Sequence, residues 1–232
     1  MEIDFSPFFR RYEAILAKAD KAFAQVKAQY PEAVKCVQGC ADCCYALFDL
    51  TLIEALYINH HFNKKFSGRE RDAILEKADS ADRQTYKIKK AAYQSSRQGT
   101  EEETVLETVG QERIRCPLLN AENLCDLYPH RPIACRVYGI PVAIGGRGHT
   151  CGLSGFRQGE SYPTFNQDVV HDQLMALSAE LVQTIKSRHV KMADVLVPLS
   201  MALLTMYDES YLGIGDPSKE KEEEGKEGEN DG

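Results

Sequence analysis

No apolar run in this chain is long enough to span a bilayer. The longest, VLVPLSMALLTM at 195–206, is interrupted by Pro198 and falls well short of the ~20 residues a helical span needs. The opening MEIDFSPFFRRYEAILAKAD is interspersed with charge and lacks the unbroken apolar core of a secretory signal. Basic excess is missing too. The net charge is −7, and the tail from Asp216 to Gly232 alone holds eight acids and three lysines, a net of −5, leaving −2 for the body. Neither part has the positive footprint of a nucleic-acid binder. The tail, DPSKEKEEEGKEGENDG, has no apolar residue to bury and is expected to be a disordered solubilising appendage. No internal repeat stands out. Together these absences predict a soluble, cytoplasmic protein whose partner is neither membrane nor nucleic acid. A core is not lacking: 43% of the 232 residues are hydrophobic, so the fold does not depend on disulfides. In a reducing compartment, clustered cysteines then hold metal or perform redox chemistry.

Helical signals dominate the pattern. Ser6 and Pro7 read as N-cap and first helical residue. Phe8, Phe9, Tyr12, Ile15, Leu16, Ala19, Phe23 and Val26 follow at helical spacing as far as Pro31. Capping boxes at Thr51-x-x-Glu54, Ser67-x-x-Glu70 and Thr100-x-x-Glu103 predict helices to about His60, Arg97 and Gly110. The second should bury Ile74, Ala78, Ala81, Ile88 and Ala92. Val170, Leu174, Leu177, Leu181 and Ile185 predict another helix from about Asp168, and a last one is expected near 193–206. Between them, 114–151 is rich in proline, glycine and cysteine. There the expectation is loops, a small hairpin at 114–127 and at most one helical turn after Pro132; Gly145-Gly146-Arg147-Gly148 reads as a turn, without the strand and helix context of a nucleotide loop. The predicted fold is mainly α, a helical scaffold with an irregular cysteine-rich metal-binding insert. Its organisation runs as an N-terminal amphipathic helix (1–35), the cysteine-cluster domain (36–155), C-terminal helices on the same core (156–213) and the acidic tail (214–232).

All eight cysteines fall in two blocks: Cys36, Cys40, Cys43 and Cys44 in the stretch CVQGCADCC, then Cys116, Cys125, Cys135 and Cys151. No isolated cysteine is left as a core filler. If the first block is helical, its offsets of 4, 7 and 8 put four sulfurs on one face; if Gly39 lets it wrap as a loop, backbone amides can point at the sulfurs. Disulfides fit poorly, because adjacent cysteines pair only through a strained ring. Four thiolates around a dication or a doubly positive four-iron cluster leave roughly −2 to be compensated, and arginines crowd the second block: Arg113, Arg115, Arg131, Arg136 and Arg147. Only Cys40–Cys43 has the Cys-x2-Cys spacing of zinc knuckles. Cys36-x3-Cys40-x2-Cys43 is the three-thiolate spacing of radical S-adenosylmethionine enzymes, but those need an alternating strand–helix barrel, and Asp42 stands where they usually carry an aromatic residue. His130 and His149 are conceivable ligands and read first as surface or hydrogen-bonding histidines. His60-His61 should close a helix. Tyr128 and Tyr138 should pack over the site and exclude water.

Taken together, the two blocks resemble the YkgJ-type cysteine-cluster family, known for a candidate zinc- or iron-chelating domain. Cys36, Cys40, Cys43 and Cys44 are similar to its first element. CPLL at 116–119 and LCDLYPHRPIACRVY at 124–138 are similar to its second, with Cys125, Tyr128, Arg131-Pro132, Cys135 and Arg136 in order; TCGLSG at 150–155 approximates a third, with Gly152 where proline is frequent. The resemblance covers about 36–155. It implies metal binding through the eight cysteines, with Arg131 and Arg136 supporting the centre from behind the ligands. The Cys-x3-Cys spacing and the surplus of thiols favour an iron–sulfur cluster over a zinc or iron ion. Since flagellin lysine methylases share the motif, the resemblance leaves open an alternative: an iron–sulfur oxidoreductase or a methylase-like protein-modifying enzyme.

Overall fold

The computed structural model describes residues 3–214; apart from residue 214, the predicted acidic tail lies outside them. Helices α1 (Ser6–Gln29), α2 (Leu52–Lys65), α3 (Gly68–Arg97), α4 (Glu102–Gln111), α5 (Ile133–Val137), α6 (Gln167–Thr184) and α7 (Leu199–Leu204) dominate, with five strands of two or three residues. The fold is mainly α, as the pattern predicts. Among the described residues, no helix is long and apolar enough to cross a membrane.

The axle is α2. Its capping box forms as expected, Thr51 and Glu54 satisfying each other's end of the first turn, and every residue from Leu52 to Asn59 is buried. A helix apolar on all sides must be surrounded. One side, through Ile53, Leu56 and Tyr57, packs into a core with Phe8, Phe9, Tyr12 and Leu16 of α1, Ile133 and Val137 of α5, and Leu174, Leu177 and Leu181 of α6. The other, through Ala55, Ile58 and Phe62, packs with Ile74 and Ala78 of α3, Leu118, Leu127 and Leu203. The helix therefore continues past His60 to Lys65, and His60-His61 sit inside it rather than at its end. Buried polar groups on the axle are paired. Asn59 Nδ2 donates to the carbonyls of Ala202 (2.9 Å) and Thr205 (3.0 Å), satisfying the open end of α7.

Several local expectations are corrected. Phe5, not Ser6, is the N-cap of α1, and Asp4 Oδ1 takes the Ser6 amide at 2.9 Å. α4 starts at Glu102 without a side-chain cap; Thr100 is occupied in closing α3, its amide reaching the Ser95 carbonyl at 3.1 Å around Gly99 at φ +89°. α3 buries Ile74, Ala78, Ala81 and Thr85 only, so the stripe thins before Ile88 and Ala92. α7 has six residues instead of the predicted fourteen, because Pro198 holds its neighbour extended: β5 (Val197–Pro198) pairs antiparallel with β1 (Asp49–Leu50). At 114–127 the hairpin shrinks to one bridge, Leu119 opposite Cys125. The real hairpin lies further on, β2 (Val142–Ile144) against β3 (Arg147–His149) around Gly145-Gly146, with β4 (Phe165–Asn166) added parallel to β2.

Candidate metal centre

Cys36 and Cys40 lie on the loop leaving α1, and Cys43 and Cys44 on a 3-10 turn spanning Asp42–Tyr45. Of the two conformations open to this block, the loop is adopted. Gly39 takes φ +86°, a region that costs other residues, and the Cys40 amide closes the turn onto the Val37 carbonyl at 3.0 Å. The second block comes alongside: the Cys116 amide donates to the Cys44 carbonyl at 2.7 Å, and the Ile114 amide to the Tyr45 carbonyl at 3.1 Å. Leu118 and Leu127 anchor the segment carrying Cys116 and Cys125 in the core beside α2. Cys135 rides on α5, whose first amides are orphaned by helix geometry; buried Glu54 Oε1 accepts the one on Ile133 at 3.3 Å. Cys151 follows β3, and its loop is tied to the chain ahead of Cys36 by the Gly155 amide on the Ala33 carbonyl, 2.8 Å.

All eight cysteines line one cavity of about 600 Å³. Backbone amides point at several of the sulfurs: Leu118 and Leu119 at Cys116, Leu127 at Cys125, and Leu153 at Cys151, 3.4 Å. Amides aimed at sulfur stabilise a thiolate, and with it a metal–thiolate bond. As the side chains stand, no three His, Cys, Asp or Glu groups among the described residues converge tightly enough to hold an ion; the thiols ring the space instead. A change of χ1 rotamer moves a cysteine sulfur by on the order of 3 Å, so closure needs side-chain rotation and not a new backbone.

Burial sets the protonation of this ring. It pushes Cys36 up to about 11 and Cys116 up to about 12, and raises Cys125, Cys135 and Cys151. Cys43 goes the other way, down to about 7, because the Cys44 thiol donates a hydrogen bond to it and Arg131 adds positive charge; Cys44 is correspondingly raised. Without metal the ring is mostly neutral thiol, and loading it releases protons.

The arginines divide by task. Arg131 adds favourable charge at Cys43, Cys125 and Cys135, with its guanidinium over the Tyr128 ring at 3.9 Å. Arg136 is buried and spends its donors on the carbonyls of Arg131 (2.8 Å) and Pro129 (2.6 Å) and on Asp20. Arg113 holds Asp42 Oδ1 at 2.5 Å, Arg115 bonds the Asn120 carbonyl at 2.7 Å, and exposed Arg147 pairs with Glu103 on α4. Tyr128 and Tyr138 both line the cavity, but Tyr128 is 59% exposed and shields it only in part. His149 is exposed on β3.

Sequence reasoning passed over three contributors: Asp42, Glu54 as the holder of α5, and Gly139. Glu54 announced itself as half of a capping box, yet its second partner is distant in sequence. At Gly139, an added Cβ would lie 2.1 Å from Cys36 Sγ. Gly139→Ala is expected to displace that sulfur and lower bound metal, with an overpacking cost of about 1–3 kcal/mol. Calorimetry and metal analysis on the same sample check both effects.

His130 is a hydrogen-bonding histidine. The Tyr57 hydroxyl donates to Glu13 at 3.0 Å, leaving its oxygen to accept from His130 Nδ1 at 3.1 Å, and the His130 ring stacks on His61 at 3.6 Å. Burial, then the charges of His130 and His60, push His61 down to about 4 from the usual 6.5; His130 is lowered by burial. A depressed histidine contributes stability above its unfolded value, lost as pH falls toward the folded one. Tm should therefore drop between pH 6.5 and 4, less steeply in His61→Phe, as thermal melts at stepped pH would read out.

No curated protein and no solved structure matches the chain. One family model does, across residues 35–152, which is more than half of the sequence and takes in all eight cysteines. The chain belongs to the CxxCxxCC family, whose shared unit is described as a "putative zinc- or iron-chelating domain".

Proposed function

We propose that this protein holds an iron–sulfur centre in the cysteine-lined cavity. The observation that carries the reading is the pair of hydrogen bonds joining the two blocks, Cys116 to Cys44 and Ile114 to Tyr45, which brings sulfurs distant in sequence around one space. The donor set fits. A single tetrahedral zinc uses four ligands, whereas eight thiols line this cavity. Positive charge at Arg131 sits where a thiolate-bound cluster leaves net negative charge. Cys43, Cys116, Cys125 and Cys135 are the thiols beside Arg131 or packed with its neighbours, and they are the residues to hold the cluster. When bound, the cluster supplies one-electron chemistry or a structural clamp; the chain supplies thiolates, amides aimed at sulfur, and a partly dry wall. The test is anaerobic purification followed by iron, sulfide and zinc analysis with a visible spectrum. Iron and sulfide with broad absorption near ~400 nm support the reading; a colourless protein with stoichiometric zinc removes it.

A further inference from the structure

The eight thiols do not form an even ring. Two separate tethers build two ends of the cavity. The first is the hydrogen-bonded contact between Cys44 and Cys116, around which Cys43, Cys125 and Cys135 gather, each weighing electrostatically on the others. The second is the Gly155–Ala33 hydrogen bond, which lays the Cys151 loop beside the chain entering Cys36. At that end Cys36 has Cys40 and Cys151 as its nearest charged neighbours, and it is seated against Gly139 where no side chain fits. A carboxylate completes the end. Asp42 Oδ2 lies 3.5 Å from Cys151 Sγ, while its other oxygen is held by Arg113 at 2.5 Å. That is how a ligating carboxylate is oriented: one oxygen restrained by a hydrogen bond, the other aimed at the site.

We infer that the cavity contains two unlike sites, and that Cys36, Cys40, Cys151 and Asp42 form a second one, a three-thiolate, one-carboxylate site for a single tetrahedral dication of the zinc class. Three sulfurs and one oxygen around a four-coordinate ion suit zinc, which takes both donor types. On binding, each thiol loses its proton to solvent as a sulfur–zinc bond forms, and the Cys151–Asp42 hydrogen bond gives way to two bonds to the metal. Three thiolates and a carboxylate around a dication leave a net −2. Arg113 on Asp42 and Lys27, whose Nζ bonds the Cys36 carbonyl at 3.3 Å, offset it. The site rests on the reading of the cavity as a metal centre, but not on which metal the Cys43–Cys135 end takes.

The experiment uses the full chain, purified anaerobically, with iron, sulfide and zinc measured per chain and zinc affinity read by competition with a chromophoric chelator. Circular dichroism verifies folding of each variant. Wild type should bind one zinc in addition to its iron–sulfur chromophore. Asp42→Asn, near-isosteric, should weaken zinc by about tenfold or more and leave iron, sulfide and visible absorption in place; Cys151→Ala should do the same more severely. Cys135→Ala should lose iron and sulfide and keep zinc. If Cys151→Ala removes iron and zinc together, the cavity is one undivided centre and the inference is overturned, with the proposed function intact. If Asp42→Asn leaves zinc affinity unchanged, or wild type takes up no zinc on titration, the second site falls. Absence of iron and sulfide with zinc retained and Asp42-dependent overturns the iron–sulfur reading alone.

Discussion

Stripping the metal with a strong chelator should loosen residues 114–151 while leaving α1, α2 and α6 folded. The helices have their own cores on either side of α2. The segment between α4 and α6 has only α5, one bridge and a short hairpin for regular structure, and its remaining order comes from a few apolar anchors and from the sulfurs. A metal that binds only the folded form adds about 4 kcal/mol at a thousandfold excess over its Kd, or roughly 8–16 °C in Tm for a chain of this length. Calorimetry of loaded and stripped protein, with hydrogen exchange to locate the change, measures it. Equal Tm and equal protection at 114–137 would mean that Leu118, Leu127, Ile133 and Val137 hold the segment without metal. The stripped protein should also acquire an alkaline limb. Its buried thiols are raised above their usual 9, Cys36 to about 11 and Cys116 to about 12. Raised groups contribute stability that is complete below about 9 and disappears as pH climbs through 11–12. Loaded protein has its ligand sulfurs already ionised, so this limb should vanish and an acid limb should replace it as protons compete with metal.

How much of this was legible beforehand depends on the range of the interactions. α1, α3 and α6 were readable because one apolar stripe at a 3.6-residue period is a local signal. The start of α2 was readable from Thr51 and Glu54; its length and all-round burial were not, since His60-His61 look like a terminus until the helices around them are known. β1 and β5 were not readable, because two-residue strands have no period and exist only by meeting each other. At the site, the eight cysteines identified themselves by type and spacing, and the Cys44–Cys116 contact places the two blocks together as expected. Which sulfur faces which was not legible, for the loops carrying them follow no period. Asp42 illustrates the limit. In the sequence it is a residue where an aromatic is usual elsewhere; only the fold shows one of its oxygens on Arg113 and the other near Cys151.

Arg136 offers the sharpest test of how the fold holds the site, because its place beside Cys135 suggests one role and its bonds show another. The side chain is 6% exposed, against 46% for its partner Asp20. It fastens the turn carrying Pro129 and Arg131 to α5 through two carbonyls and fastens both to α1 through Asp20. Arg136→Met keeps an unbranched apolar chain of similar reach but strands the two carbonyls. Asp20 recovers water, so the loss should fall at the lower edge of breaking a buried pair, about 3 kcal/mol, or roughly 6–12 °C in Tm. Asp20→Asn, whose partner keeps both carbonyls, should cost less than about 1 kcal/mol. Arg136→Lys should recover only a fraction of the loss, because one ammonium cannot reproduce a planar fork serving three acceptors. Metal content should follow the same order, since Arg131 and Cys135 are the groups set adrift when the fastening fails. If Asp20→Asn proves as damaging as Arg136→Met, then the ion pair and not the carbonyl fastening holds α5. In that case the loop bearing Arg131 should keep its exchange protection in both variants.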